Sequence, residues 1–331
     1  MTNERLKAEF HSHQQLQRLL RVAGDHRKRP LQQKLWLFDQ LKLHGAADAA
    51  LPILSELLAA KIPETMSKRL KSDERFLLRV QKIFNVERQP KLTEALLSQS
   101  DTFIRAKGGS EALLIVLPTV YNNMMISFPL LVAFFMAFGS GKVDLLILKQ
   151  DISKVLPKHL GLKANLEALE SKLKPIVHGY RGKRIVFMGA SSGGFPAGYL
   201  AARLGASGAI LFGANTDLTD GSQLPRRRVR LSEGTDPARE KANREPGNWD
   251  LRGVGGISEL EFLDLYSGAW DRIDQIHAAH LEGLPNVTVQ IVPECFHLCV
   301  PGLISVGRFW PSVADRLYPD RSGTTLPWMV E

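Results

Sequence analysis

A chain of 331 residues, 44% hydrophobic and 23% charged with 27 glycines, can bury a core of one large or two ordinary domains; that composition excludes disordered and fibrous classes. Only two cysteines occur, Cys295 and Cys299, which excludes a disulfide framework. The net charge of +9 sits mostly in the first hundred residues, where 18 Lys/Arg face 11 Asp/Glu.

That basic third could attract an anionic polymer or surface. It lacks the interleaved aromatic residues of a single-strand stacking platform, so it reads as the solvated faces of basic helices and nucleic acid is not the expected partner. The opening MTNERLKAEFHSHQQ has no apolar signal region. The longest uncharged apolar run, Met124 to Phe138, is broken by Pro129 and falls short of the ~20 residues a spanning helix needs. A cytoplasmic protein without a membrane span is the expectation.

Residues 1–106 read as an all-helical region. In LQQKLWLFDQLKLHG, apolar residues at Leu31, Leu35, Leu37, Phe38, Leu41 and Leu43 form a helical stripe, and Gly45 marks its stop. AADAALPILSELLAAK, SKRLKSDERFLLRVQKIF and KLTEALLSQSDTFI follow as further helices, most simply arranged as two antiparallel hairpins. Lys107 to Ser110 is a plausible joint, and residues 107–331 form the second region.

Past the joint the period changes. Short apolar runs at 112–118, 143–149, 184–189, 208–213, 261–268 and 287–293 alternate with helical segments, which predicts a mostly parallel sheet with helices on both faces, an α/β fold. Residues 218–256 are polar and rich in Arg, Gly and Pro, and are expected to be a cap insertion or a flexible loop. The run Arg226-Arg227-Arg228-Val229-Arg230 within them carries no nucleic-acid motif.

The strand RIVFM leads into Gly189-Ala190-Ser191-Ser192-Gly193-Gly194 and then a helix. This is G-x-S-x-G in a strand–turn–helix context. Side chains two residues before or after the serine would collide with the neighbouring strand and helix, hence the glycines. Ser191 is the expected nucleophile; Ser192 is better placed to offer its backbone N–H to an oxyanion.

Over roughly residues 110–315, strand order, elbow and a late histidine resemble the α/β-hydrolase superfamily of serine hydrolases. The resemblance implies an eight-stranded or reduced sheet, a Ser–acid–His triad in that chain order and an oxyanion hole of two N–H groups. His297, in VTVQIVPECFHLCVPG, is the histidine after the last strand and the expected general base. His277 and His280 look helical and are weaker candidates. Cys295 and Cys299 flank His297, but no further ligands stand at zinc-like spacing, so no metal or other cofactor is expected.

For the acid, Gly268-Ala-Trp-Asp271 resembles the family's acid loop and favours Asp271, with Asp274 as the alternative; Asp217 and Asp220 are further possibilities. Any of them could instead cap a helix. By position, the early oxyanion loop is Pro118 to Asn123. Thr119 and Val120 are the nearest N–H donors there, and Tyr121 and Asn122 could line the pocket. The family's usual His-Gly pair is absent.

Together these features predict a serine hydrolase or acyltransferase acting on a small-molecule or glycan ester or thioester. The rival is a non-catalytic hydrolase-fold component of a bacterial surface-polysaccharide or glycoprotein assembly pathway, docking a protein partner through its N-terminal helices.

Overall fold

The computed structural model describes residues 13–84, 101–106, 109–119, 123–138, 142–149, 162–219, 222–225 and 249–319. Val120, Tyr121, Asn122, Asp220 and the basic run at 226–230 lie outside the described residues.

Seven strands form one sheet: β1 (Thr102–Ile104), β2 (Ala112–Leu117), β3 (Val143–Ile147), β4 (Arg184–Ala190), β5 (Gly208–Phe212), β6 (Phe262–Gly268) and β7 (Val287–Val292). Their order is β1-β3-β2-β4-β5-β6-β7. All neighbours are parallel except β1, which runs antiparallel to β3 at one edge with Thr102 opposite Ile147.

The six longer strands fall on the six predicted apolar runs. β2 is buried at every position, as a central parallel strand covered on both faces must be. Alternation along the strands divides the core. Leu114, Val116, Ile147, Val186 and Met188 face one layer. Leu113, Ile115, Leu117, Phe187 and Leu211 face the other.

The second layer holds α6 (Leu162–Gly179) and α7 (Gly194–Leu204). The first holds α5 (Phe128–Phe138), α9 (Cys299–Ser305) and α10 (Phe309–Leu317), and also the N-terminal helices α1 (His13–Gly24), α2 (Leu31–Leu43), α3 (Ala47–Ala59) and α4 (Glu64–Ile83). The remaining helix, α8 (Arg272–His280), follows β6.

The N-terminal helices share the core of the sheet. Leu37 and Phe38 of α2, Ile53 of α3 and Phe76, Leu77 and Val80 of α4 are buried in the same cluster as Phe309 and Val313. Polar contacts tie α4 to α9: the Ser72 and Ser305 hydroxyls lie 3.1 Å apart, and Arg79 Nε donates to the Ser305 carbonyl at 3.4 Å. Within the helical layer, the buried Lys42 ammonium meets Asp73 at 2.9 Å and Asp39 at 3.6 Å.

One expectation needs correction. The segment 91–104 ends not as a helix but as β1, because Thr102 to Ile104 complete the exposed edge of β3; the rest of that segment is outside the described residues. Of the segment 218–256, expected as a cap insertion or flexible loop, residues 220–221 and 226–248 lie outside the described residues, and the end at 249–256 packs on the sheet. Trp249, Leu251 and Val254 are buried on the α7 side of the sheet, with Trp249 stacked on Phe195 at 6.1 Å. Backbone bonds from Leu218 to Trp249 and from Leu251 to Thr216 close the base of the excursion. Among the described residues no helix is long and apolar enough to cross a membrane.

Candidate active site

The site stands at the carboxyl ends of β4, β5, β6 and β7. β4 runs into a single helical turn, Ser191–Gly193, and directly into α7. Ser191 takes φ +51, a left-handed conformation costing a non-glycine residue about 1–2 kcal/mol. The two glycines of the elbow have the steric reason expected of them. A side chain at Gly189 would strike the Gly193 carbonyl and, at 2.6 Å, the Ala197 methyl; one at Gly193 would strike the Leu117 and Pro118 carbonyls.

His297 follows β7. Its Nε2 lies 2.8 Å from Ser191 Oγ and its Nδ1 2.8 Å from Asp274 Oδ2. The imidazole edge is partly open, at 21% side-chain exposure, whereas Asp274 is at 1%. A buried carboxylate beside Nδ1 fixes the tautomer with the proton on Nδ1 and leaves Nε2 as acceptor for the serine hydroxyl.

Three loops are built around one another to hold that line. The β6–α8 loop is bonded to the histidine loop by Ala269 N–H to the Val292 carbonyl at 2.8 Å and Trp270 N–H to the Cys295 carbonyl at 3.0 Å. Trp270 also packs edge-on against Phe296 at 5.3 Å. Gly213, just past β5 at φ +54, passes so close that a Cβ there would lie 2.8 Å from His297 Nδ1 and 2.9 Å from Asp274 Oδ2. Gly213 escaped the sequence reading; its signal was the glycine closing the run GAILFG.

The preference for Asp271 over Asp274 is corrected by this geometry. Asp271 is the N-cap of α8, and its Oδ1 accepts the backbone N–H of Asp274 at 3.1 Å. Asp274, one turn in, carries the oxygen that meets the imidazole. Asp217 is also locally engaged, accepting from the Thr219 N–H and hydroxyl at 2.8 and 2.6 Å.

Sequence order, sheet order and elbow now agree: a mostly parallel sheet, a strained serine between β4 and α7, an acid after β6 and a histidine after β7. This is the α/β-hydrolase fold. No protein-family model matches the chain. No curated protein matches it either.

Solved structures with the hydrolase fold are similar. Esterase B from Lactobacillus rhamnosis, in a phosphonate-inhibited form, is 13% identical with a TM-score of 0.47, covering 81% of this chain and 98% of its own. MenH from S. aureus is 12% identical at TM-score 0.41, covering 68% and 100%. Carboxyl esterase 2 from Tuber melanosporum is 11% identical at 0.42, covering 63% and 80%.

Within the hydrolase fold, Thr119 does not serve as the expected donor. Its N–H is given to the Asn123 carbonyl at 2.8 Å and its hydroxyl to Asn123 Oδ1 at 2.9 Å. Ser192 follows Ser191 in the helical turn, and its buried hydroxyl oxygen has no hydrogen-bond partner among the described residues.

The other two histidines have structural settings. Buried His277 accepts the Thr216 N–H at Nδ1 (3.1 Å) and donates from Nε2 to the Pro225 carbonyl (3.0 Å). His280 meets Asp250 at 2.8 Å.

Asp271, Asp274 and His297 bring potential ligand atoms within 4.8 Å of one another, the one such group among the described residues that could hold a metal ion. The 2.8 Å Asp274–His297 separation is a hydrogen bond, shorter than the roughly 3.4 Å between donors around a tetrahedral ion bound at ~2.1 Å, so the set fits a proton relay better. The cysteine thiols flanking His297 turn to backbone, Cys295 Sγ to the Val292 carbonyl and Cys299 Sγ to the Tyr266 carbonyl, each at 3.5 Å. A hydrogen bond with Cys295 and burial push the Cys299 thiol well above its ordinary range.

Proposed function

We propose that the chain is a serine hydrolase or acyltransferase that cleaves a carboxylic ester or thioester through an acyl-enzyme. The single observation that carries this reading is the unbroken line Ser191 Oγ–His297 Nε2 and His297 Nδ1–Asp274 Oδ2, each link 2.8 Å, ending on a serine held at positive φ.

Ser191 Oγ attacks the carbonyl carbon while His297 Nε2 takes its proton. The resulting imidazolium is stabilised by the buried Asp274 carboxylate. The oxyanion falls beside the Ser192 N–H at the start of α7, where the positive end of the helix adds to the hydrogen bond. Collapse expels the alcohol or thiol, which takes the proton back from His297. Water or an acceptor hydroxyl then repeats the sequence in reverse and frees Ser191.

The rival reading, a non-catalytic component, gains no support here. A serine–imidazole hydrogen bond is what an inactive elbow would not need to keep, and most apolar side chains of the N-terminal helices are buried in the shared core, with Leu31, Trp36 and Leu78 left exposed. The test is labelling with a fluorophosphonate and turnover of nitrophenyl esters of graded chain length. Both should vanish in Ser191→Ala; labelling that persists in that variant rejects the assignment.

A further inference from the structure

A second concave site lies at the other end of the sheet. A cavity of about 490 Å³ is lined by Phe103, Arg105, Ser110, Asp144, Tyr180 and Lys183, with Pro175 and Ile176 as its apolar wall. Asp144 is the second residue of β3, opposite Leu113 at the start of β2. Ser191, by contrast, follows the far end of β4. With about 3.3 Å per strand residue, the cavity and the serine are roughly 20 Å apart.

Two cation–ring pairs flank this cavity. On one side the Arg105 guanidinium rests over the Phe103 ring, 5.0 Å from its centroid; on the other the Lys183 ammonium rests over Tyr180 at 5.4 Å. Both cations are exposed. The one acid, Asp144, is buried in the floor and its charge is satisfied there. The Tyr180 hydroxyl donates to it, and the Ala106 N–H donates at 2.7 Å.

Burial works against the Asp144 charge, yet bonds from Tyr180, Ala106 and Ser110, with the nearby Arg105 charge, more than offset it and hold the carboxyl below its ordinary value. The same burial and the Asp144 charge push Tyr180 up to about 12. The acid is therefore held chiefly by neutral donors and in part by Arg105, while Arg105, Lys183 and the Ser110 hydroxyl (3.4 Å from Lys183 Nζ) line the opening.

We propose that this cleft binds a small phosphomonoester, its phosphate between Arg105 and Lys183 and its uncharged body against Pro175 and Ile176. A guanidinium fork and a mobile ammonium are the pair that suits a multiply charged tetrahedral anion. The volume lies within the range of sites for small organic ligands. A ligand here is held, not cleaved, because the reacting serine is at the opposite end of the sheet.

Isothermal titration at low salt tests this with glucose 6-phosphate, glucose and inorganic phosphate as probes. Saturable binding of glucose 6-phosphate is expected, weaker binding of inorganic phosphate and none of glucose. The double variant Arg105→Gln/Lys183→Gln, whose changed side chains are exposed, should bind glucose 6-phosphate at least tenfold more weakly, and Ser191→Ala as tightly as the parent. The proposal is overturned by no saturable binding of glucose 6-phosphate, by equal binding of inorganic phosphate, by an unaffected double variant, or by loss of binding in Ser191→Ala.

Discussion

Asp271 accepts the backbone N–H of Asp274 with its own carboxylate, and so the first of two acids in one helical turn holds the second against the imidazole. Their substitutions should separate. Asp274→Asn removes the charge that stabilises the imidazolium and permits the wrong tautomer, a change worth up to about 10⁴ in kcat. Asp271→Asn keeps a good N-cap and should leave kcat within a few-fold, while Asp271→Ala costs ~1 kcal/mol of stability. Ester kinetics and urea unfolding of the three variants check this. A large kcat loss in Asp271→Asn with none in Asp274→Asn would return the role to Asp271.

What made the sheet legible was burial on both faces. Residues 112–117 and 208–212 are uninterrupted apolar runs because nothing polar is tolerated there. Thr102 to Ile104 carried no such mark: three half-exposed residues at an edge need only one partner strand. The elbow was legible because its glycines answer steric demands local to the turn. The choice between Asp271 and Asp274 was not, since both stand in the first turn of α8. Which carboxylate turns back to cap and which faces forward depends on where the β7 loop brings His297, a contact 23 residues away in sequence. That Thr119 gives its own N–H to the Asn123 carbonyl is a backbone detail no residue pattern displays.

Gly213 supplies a second test of the site's construction. Gly213→Ala inserts a methyl within 3 Å of both His297 Nδ1 and Asp274 Oδ2 and imposes φ +54 on an alanine. The backbone term alone costs about 1–2 kcal/mol. The larger effect is expected on kcat, because the methyl wedges apart the hydrogen bond that orients the imidazole, while KM changes little. Wild-type kcat in this variant would mean that the Asp274–His297 contact is not what positions the base.

His277 predicts a pH dependence of stability. Burial pushes its pKa below the ordinary 6.5, and both ring nitrogens are used by the neutral form. Below about pH 6.5 the unfolded chain takes up a proton that the folded one refuses, so stability falls with pH until the depressed folded value is reached. Above 6.5 this contribution is fully present. Urea midpoints measured from pH 7.5 to 5 should fall more steeply for the parent than for His277→Gln. Parallel slopes would show that the buried imidazole is not responsible.

The helices before β1 bear on folding and on the site at once. α4 inserts Phe76, Leu77 and Val80 into the core that α9 and α10 complete, and each such side chain is worth about 1.5–3 kcal/mol. Together they approach the whole stability of an ordinary domain. A fragment beginning at Asp101 should therefore lack a cooperative unfolding transition and near-ultraviolet dichroism. α4 also reaches the histidine loop, where Arg75 pairs with Glu294, a non-glycine residue at φ +54 three positions before His297. That pair is half-exposed, so Arg75→Ala should cost no more than ~1 kcal/mol. A fragment from Asp101 that folds cooperatively and is labelled by fluorophosphonate as fast as the full chain would show that the sheet's first layer closes without these helices.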